Sequence, residues 1–161
     1  MTAAARTATG LTDAARDLIG RQSFLMLATR NADATIHAVP LIYLFDGERF
    51  LMATPPASRK ARNIAVRPDV TVTVEDRTDL GWVSAQGRAE LIDGPPSRAL
   101  NERVYRTWMT EEGVAVVGGM MADVTIAVTP RRWSSWDIET GFYTYLRGAG
   151  IPLDRPERWF R

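Results

Sequence analysis

The segment Thr54-Pro-Pro-Ala-Ser-Arg-Lys-Ala-Arg-Asn63 follows a strand-like run, Phe50–Ala53, and its helical pattern is stopped by Pro68. Either Thr54 or Ser58 can cap a helix here, and a proline suits the first helical position. The pattern therefore predicts a strand that ends in a tight turn and leads into a short helix over 58–66.

The first turn of this helix carries an unusual pair of charges. Arg59 and Lys60 stand where the helix dipole is positive, which repels each cation by about 0.3–1 kcal/mol. A bound anion would reverse that sign, because backbone N–H groups, a hydroxyl and two cations would converge on it. Lys60 is also the only lysine in the chain. Charge placement alone leaves two interpretations open, a solvated basic turn and a phosphate-binding site.

Length and composition indicate a single globular domain. The 161 residues, 45% of them hydrophobic and 24% charged, are enough for a core of ordinary composition. A net charge of +1 gives no support for nucleic acid or a membrane surface as partner. Without cysteine there is no disulfide, thiolate metal site or thiol nucleophile, and a single histidine excludes a multi-histidine site. No signal-peptide or membrane-spanning pattern is present, so we expect a cytoplasmic protein.

Patterns before the central segment predict a short helix and then a hairpin-rich sheet. A capped amphipathic run from Thr12 to Gly20 predicts the helix. Phe24–Thr29 predicts a buried strand and Thr35–Phe45 a long second strand. Asp46-Gly47 is a strong hairpin signal that returns the chain into the strand before the central segment.

Patterns after the central segment predict more strands and a second helix. Val70–Val74 alternates cleanly and Gly81–Ile92 alternates in part, as half-buried strands do. Gly94-Pro-Pro96 interrupts the sheet pattern, and Ser97 is predicted to begin the second helix. The predicted core-facing stripe of that helix consists of residues four apart: Leu100, Val104 and Trp108.

The last part of the chain predicts closing strands and a tail. Val124–Val128 reads as a strand, Pro130 as a break and Trp133–Trp136 as a final short strand. The expected fold is mainly β, an antiparallel six- to seven-stranded barrel with inserted helices. We assign it to residues 1–139, including a helical lead-in over 1–22. The tail, 140–161, is expected either to pack on a dimer partner or to be a loose end.

Several motifs occur in one order between about Phe24 and Ile92. They are Ile36-His-Ala-Val-Pro-Leu-Ile-Tyr43, Asp46-Gly47, Thr54-x3-Ser58-Arg59-Lys60, Asn63-Ile64, Arg67-Pro-Asp-Val70 and Gly87-Arg-Ala-Glu-Leu91. Each is weak alone. Together they resemble the FMN-binding split barrel of pyridoxamine 5'-phosphate oxidase and its relatives, which include the flavin- and deazaflavin-dependent oxidoreductases.

The resemblance implies a homodimer that binds FMN or F420. The four side chains of the T-x3-S-R-K motif would hold the cofactor phosphate, and the backbone of Ala38–Tyr43 would lie along the ring. Trp82 would reach the cofactor from the neighbouring subunit, and Trp133 or Trp136 would stand near the far wall. The cofactor-binding candidates are Ala38, Val39, Pro40, Leu41, Ala53, Thr54, Ser58, Arg59, Lys60 and Trp82.

The chain also departs from the pattern of true pyridoxamine phosphate oxidases. In the enzymes that this chain resembles, an arginine occupies the position of Ala38, a lysine that of Tyr43 and a glutamine that of Trp82. Their Gly/His/Arg-rich substrate motif is absent from Trp136 onward. The resemblance thus implies a retained phosphate site with altered substrate contacts, which argues against the vitamin-B6 oxidase reaction.

The implied activity is hydride transfer between F420 or FMN and a small unsaturated or quinone-like substrate. Such a reaction needs no nucleophile or carboxylate pair, because the cofactor carries the chemistry. His37 and Tyr43 are the candidate proton donors. His37 could also be an axial ligand in a haem-binding variant, and the interpretation that we favour for it is a surface residue of a half-exposed strand. The alternative from another class is a non-catalytic flavin or haem carrier or sensor with the same fold.

Overall fold

Seven strands and five α-helices make up the part of the chain that the computed structural model describes, residues 10–120 and 123–153. In chain order these are α1 (Asp13–Arg21), β1 (Phe24–Arg30), β2 (Ile36–Ile42), β3 (Leu44–Phe45), β4 (Phe50–Thr54), α2 (Arg59–Val66), β5 (Asp69–Asp76), β6 (Gly81–Ile92), α3 (Gly94–Tyr105), α4 (Glu111–Met120), β7 (Val124–Asp137), a π-helical turn (Glu139–Tyr143) and α5 (Thr144–Gly148). None of the described helices is long and apolar enough to cross a membrane.

The strands form one antiparallel sheet in the order β2-β1-β5-β6-β7-β4-β3. Strands β2 and β3 lie at opposite edges of this sheet, yet only Tyr43 separates them in the chain. Because one residue spans at most about 3.6 Å, the two edges must meet and the sheet must curl. The predicted mainly β, antiparallel barrel of six to seven strands is confirmed. The predicted long strand over 35–45 is instead two strands, since it crosses from one edge to the other.

Local turn chemistry explains how the edge strands are placed. Pro40 lies in the edge strand β2. An edge strand pairs on one side only, so a residue without an N–H is tolerated there. At the predicted Asp46-Gly47 turn, Gly47 has a φ of 102°, a left-handed conformation that glycine adopts without strain. The backbone N–H of Asp46 donates to the carbonyl of Arg49 at 3.1 Å. This hairpin returns the chain into β4 and so towards α2.

Alternating apolar residues of the strands fill the barrel interior. The most deeply buried of them include Leu25, Leu27, Val72, Val74, Ile126 and Val128. An aromatic cluster lies where β3 and β4 approach β7: the ring centroids of Phe45 and Phe50 are 4.8 Å apart, and those of Phe50 and Trp133 are 5.9 Å apart. Trp133 therefore packs against the core. Its place, or that of Trp136, near the far wall of the cofactor site stays a prediction.

The second helix differs from its prediction at both ends. It begins at Gly94 rather than Ser97, because the Asp93 carboxylate accepts a hydrogen bond from the N–H of Gly94 and the two prolines occupy the first turn. It ends at Tyr105, so Trp108 lies beyond it and is 54% exposed. The predicted core-facing stripe is thus wrong for Trp108.

The predicted break at Pro130 is also wrong, since β7 is one continuous strand from Val124 to Asp137. Pro130 pairs with Gly87 at a register shift between β6 and β7. A β-bulge of this kind tolerates a residue without an N–H. The patterns on either side of the proline therefore belong to one strand that the bulge bends.

The end of the chain is only partly described. The π-helical turn and α5 follow β7, and Leu146 of α5 is buried within the same chain. Residues 154–161 and 1–9 lie outside the described residues. The assignment of 1–139 to the barrel, with its lead-in over 1–22, and the packing of the tail over 140–161 on a partner therefore stay predictions.

Candidate functional site

Two hydroxyl groups fix the N-terminus of α2 to the end of β4. The Oγ of Ser58 accepts a hydrogen bond from the backbone N–H of Ala61 at 3.3 Å and so caps the helix. The same oxygen lies 3.1 Å from Oγ1 of Thr54, which is almost fully buried. Of the two predicted caps, Ser58 is the one observed. The prolines between them lie in the preceding turn, so the first helical position is Arg59.

The side chain of Asn63 holds α2 against the end of the barrel. Its Nδ2 donates to Oγ1 of Thr29 at 3.0 Å and to Oδ1 of Asn31 at 2.9 Å. Ala61 and Ile64 are buried on the same helix. The sequence motif includes Asn63, but its role as an anchor had no separate signal, because its partners lie more than thirty positions away.

Two cations follow the cap directly. Arg59 is exposed and Lys60 is half-buried. Burial lowers the pKa of Lys60, while the charge of Asp123 acts in the opposite direction. Neither cation forms an ion pair with any residue in the described ranges. The first turn of α2 thus presents positive charge that no described residue neutralises by direct contact.

His37 adds a third basic group to this end of the barrel. Its side chain is half-buried on β2, and burial lowers its pKa. The charges of Arg59 and Lys60 lower that pKa further, which places the imidazole within electrostatic reach of both. At neutral pH the imidazole is therefore uncharged, with a proton on one ring nitrogen. A nearby anion would favour its charged form.

Two acidic side chains lie near the basic cluster but are engaged elsewhere. Hydrogen bonds from the hydroxyl and backbone N–H of Thr35 lower the pKa of Asp33, and Arg59 adds a smaller contribution. Asp123 accepts a hydrogen bond from the hydroxyl of Tyr105 at 2.9 Å. Sequence reasoning missed both, because the fold brings them in from distant positions. Among the described residues, no group of three or more His, Asp or Glu side chains is placed to hold a metal ion.

The outward side of β1 and β2 is apolar and exposed. We call it the β1–β2 outer face and define it by Phe24, Met26, Ile36, Ala38 and Pro40. Met26 pairs with Pro40, so these side chains adjoin across the two strands. Phe24 is 58% and Ile36 65% exposed. Contiguous apolar surface of this kind is typical of a ligand or protein contact.

The remaining strand candidates divide between the two sides of the sheet. Ala38 and Pro40 are exposed on the outer side, whereas Val39 and Leu41 alternate with them and are half-buried. Ala53, next to Thr54 in β4, is half-buried as well. A ligand lying on β2 from outside would therefore meet the first pair and the intervening backbone.

Tyr43 is placed in the core and does not face the basic cluster. It is 3% exposed, and its hydroxyl donates to the backbone carbonyl of Ile19 at 2.6 Å. Burial raises its pKa well above the ordinary value. The structure therefore contradicts the candidate role of Tyr43 as a proton donor, because its only hydroxyl proton is used to close the barrel against α1.

Trp82 lies at the opposite end of the sheet from Thr54. Thr54 pairs with Val124, next to the residue that pairs with Ile92 at the end of β6. Trp82 is at the start of β6, which corresponds to about 30 Å of strand at about 3.3 Å per residue. It pairs with Trp136 and, with it, lines an apolar groove of about 470 Å³. Within one chain, Trp82 is thus not part of the basic cluster.

The chain matches the family model described as pyridoxamine 5'-phosphate oxidase over residues 11–137. No curated protein sequence matches it. Among solved structures, the conserved hypothetical protein Rv2991 from Mycobacterium tuberculosis is 27% identical, with a TM-score of 0.70 over 92% of this chain and 94% of that chain.

Two further structures show the range of this fold. A protein described as an F420 reductase is 25% identical, with a TM-score of 0.61 over 74% of this chain and 94% of that chain. The haem storage protein HutZ from Vibrio cholerae has the same TM-score of 0.61 over 74% of this chain and 89% of that chain, but at 16% identity it shows the fold alone. From the family match over most of its length, this chain belongs to the pyridoxamine 5'-phosphate oxidase family.

Proposed function

We propose that the protein is a homodimeric oxidoreductase that binds FMN or F420 and passes hydride between the cofactor and a small unsaturated or quinone-like substrate. The observation that carries the proposal is the Ser58-capped first turn of α2, where Arg59 and Lys60 have no ion-pair partner among the described residues. The likeness to a protein described as an F420 reductase supports the F420 option. A cytoplasmic location stays the prediction made from sequence.

The phosphate of either cofactor fits the donors at this end of α2. The hydroxyl of Ser58 can donate to an anion, and the first backbone N–H groups of the helix have no partner within it. Lys60 is partly desolvated, and an adjacent anion would offset that cost. Each charge-assisted hydrogen bond contributes about 1.5–3 kcal/mol, so a few of them account for a micromolar complex.

The separation between the two parts of the proposed site supports the proposed dimer. The resemblance places Trp82 on the cofactor, yet about 30 Å of strand separates it from Thr54 within one chain. A two-fold partner can supply the same tryptophan from its own β6. The exposed β1–β2 outer face is apolar, as the surface that such a partner covers should be.

A bound flavin or deazaflavin would supply the hydride chemistry itself. The chain would hold the phosphate through Ser58, Arg59 and Lys60, and it would orient the ring along the outer side of β2 next to Ala38 and Pro40. The second subunit would exclude water from that surface. With Tyr43 engaged in the core, His37 is the remaining candidate proton donor of the two named from sequence, and a bound phosphate would favour its charged, proton-donating form.

A titration of apo-protein with FMN, F420 and haem, followed by visible spectroscopy, tests the proposal. We expect FMN or F420 to bind. The bound, chemically reduced cofactor should then be reoxidised anaerobically by the quinone menadione at least about ten times faster than the free cofactor. Binding without that acceleration would identify a carrier, and binding of haem alone would identify a haem protein. Either result would contradict the proposed oxidoreductase.

The pH dependence of binding should report His37. Because its pKa in the free protein is below the ordinary value of 6.5, the imidazole is neutral at pH 8 and becomes charged only as the pH falls. A bound phosphate favours the charged form, so the ratio of wild-type to His37→Gln affinity for FMN should rise several-fold between pH 8 and pH 5.

Using the ratio is necessary because the phosphate itself takes up a proton near pH 6. Fluorescence quenching of FMN at half-unit pH intervals measures the FMN affinity of the wild type and of the His37→Gln variant. A ratio that stays constant over this range would place His37 outside the reach of the phosphate.

A further inference from the structure

A second basic site lies at the other end of α2. It is an open cleft of about 720 Å³ whose lining includes four arginines: Arg30, Arg67, Arg131 and Arg132. They come from the end of β1, the end of α2 and the middle of β7. None of the four guanidinium groups forms an ion pair or side-chain hydrogen bond within residues 10–120 and 123–153. Among the described residues, Asp69 contributes the one carboxylate of the lining.

The β-bulge aims two of these arginines into the same cleft. Gln86 pairs with Arg132 and Gly87 with Pro130, so Arg131 is the extra residue of β7. Neighbouring residues of a regular strand point to opposite faces, whereas a bulge can turn both to one side. Both Arg131 and Arg132 line the cleft.

Gly87 is the residue that permits this bulge. A Cβ at Gly87 would lie 2.4 Å from the carbonyl oxygen of Thr129, which is closer than real Cβ atoms approach. The close approach of β6 and β7 therefore depends on a residue without a side chain. The paired arginines are thus a built feature of the fold and not two independent surface residues.

The cleft is separate from the phosphate site at the start of α2. The helix has eight residues, which corresponds to about 12 Å at about 1.5 Å per residue. Arg59 begins the helix and Arg67 directly follows it. One phosphate group cannot contact both ends, so an anion in the cleft needs its own binding groups.

We propose that this arginine cleft binds an organic anion, a molecule with a phosphate or carboxylate head and an apolar body. Planar guanidinium groups bind both heads in a bidentate manner. Val66 also lines the cleft and is 69% exposed, which provides the apolar contact. Four arginines and one carboxylate of the described residues surround this opening, so the guanidinium groups repel each other and a bound anion relieves that repulsion.

The test uses amide NMR of the full-length protein titrated with phenyl phosphate, with phthalate and with neutral phenol. Shifts of the Gly87 and Arg132 amides report the cleft, and those of the Ser58 and Lys60 amides report the start of α2. We expect saturable shifts at the cleft with at least one anion and none with phenol. The Arg131→Gln/Arg132→Gln variant should lose at least about tenfold in affinity at the cleft, with the shifts at Ser58 and Lys60 unchanged.

The matched control is Arg98→Gln with Arg103→Gln, which removes two exposed arginines from α3. This control should bind as the wild type does. Equal weakening in the control, or no saturable shift at the cleft with either anion, would overturn the proposal. The proposal would also be overturned if Arg131→Gln/Arg132→Gln dissociated a dimer while the wild type bound no anion, because the cleft would then be a subunit contact.

The relative affinities for phenyl phosphate and phthalate identify the preferred head group. Because the two sites have separate resonances, failure at the cleft is distinguishable from failure of the proposed cofactor site.

Discussion

Replacing Arg59 and Lys60 together by alanine is expected to weaken the binding of FMN or F420 by at least about 100-fold. Both side chains stand in the first turn of α2 and lack an ion-pair partner among the described residues. Each charge-assisted hydrogen bond to a phosphate contributes about 1.5–3 kcal/mol, and about 1.4 kcal/mol is a factor of ten in affinity. Removing two such groups also removes the electrostatic influence that lowers the pKa of His37.

The double variant should fold as well as the wild type. Arg59 is exposed, and removal of cations from the positive end of a helix dipole is favourable for the empty protein. Arg98→Ala with Arg103→Ala removes the same charge from α3 and should leave cofactor affinity within about twofold. Isothermal titration calorimetry at two salt concentrations measures the cofactor affinity of the wild type, the double variant and this control. A double variant that binds as tightly as the wild type would remove the start of α2 from the binding site.

Truncation of Phe50 to alanine is expected to lower the free energy of unfolding by about 3–5 kcal/mol. Phe50 is 1% exposed, and its ring contacts those of Tyr43, Phe45 and Trp133. These rings join β3 and β4 to β7 at the place where the two edges of the sheet meet. A cavity here weakens the closure of the barrel and not only one strand pair.

The cavity left by Phe50→Ala should also affect the functional site, because Phe50 begins β4 and Thr54 ends it. Urea unfolding at one fixed protein concentration measures the change, since a dimer's stability depends on concentration. Trp108→Ala removes a large aromatic side chain that is mostly exposed and should cost less than about 1 kcal/mol. A loss below about 1 kcal/mol for Phe50→Ala as well would show that the aromatic cluster does not hold the barrel closed.

The parts of the fold that sequence predicted well are those specified locally. The Asp46-Gly47 turn and the alternation in β5 and β6 depend on neighbouring residues, and both are confirmed. Ser58 was one of two candidate caps, and its spacing to Ala61 decides the choice. The break predicted at Pro130 is wrong because β7 accommodates this proline at a bulge opposite Gly87. That bulge depends on the paired strand β6 and not on the residues next to Pro130.

The arrangement around the site could not be read from local patterns. Tyr43 follows a half-exposed strand in sequence, yet it lies in the core because the chain crosses there from one sheet edge to the other. Asp123 influences Lys60 only because β7 pairs with β4. The resemblance named Trp82, and the register of β6 adds that a single chain keeps it distant from Thr54.

Comparison of FMN with riboflavin, and of F420 with its chromophore lacking the phosphate, tests the central claim most directly. Each pair shares its ring system. Riboflavin differs from FMN at the phosphate alone, so that affinity ratio isolates the group assigned to the start of α2. The F420 chromophore lacks the phosphate together with the tail attached to it, so for F420 the loss of preference in the variant assigns the difference to α2. For the cofactor that binds, the wild type should prefer the phosphorylated form by at least about 100-fold, and the Arg59→Ala/Lys60→Ala variant should lose most of that preference. Equal affinity of the wild type for both members of each pair would contradict a phosphate-binding role for this helix.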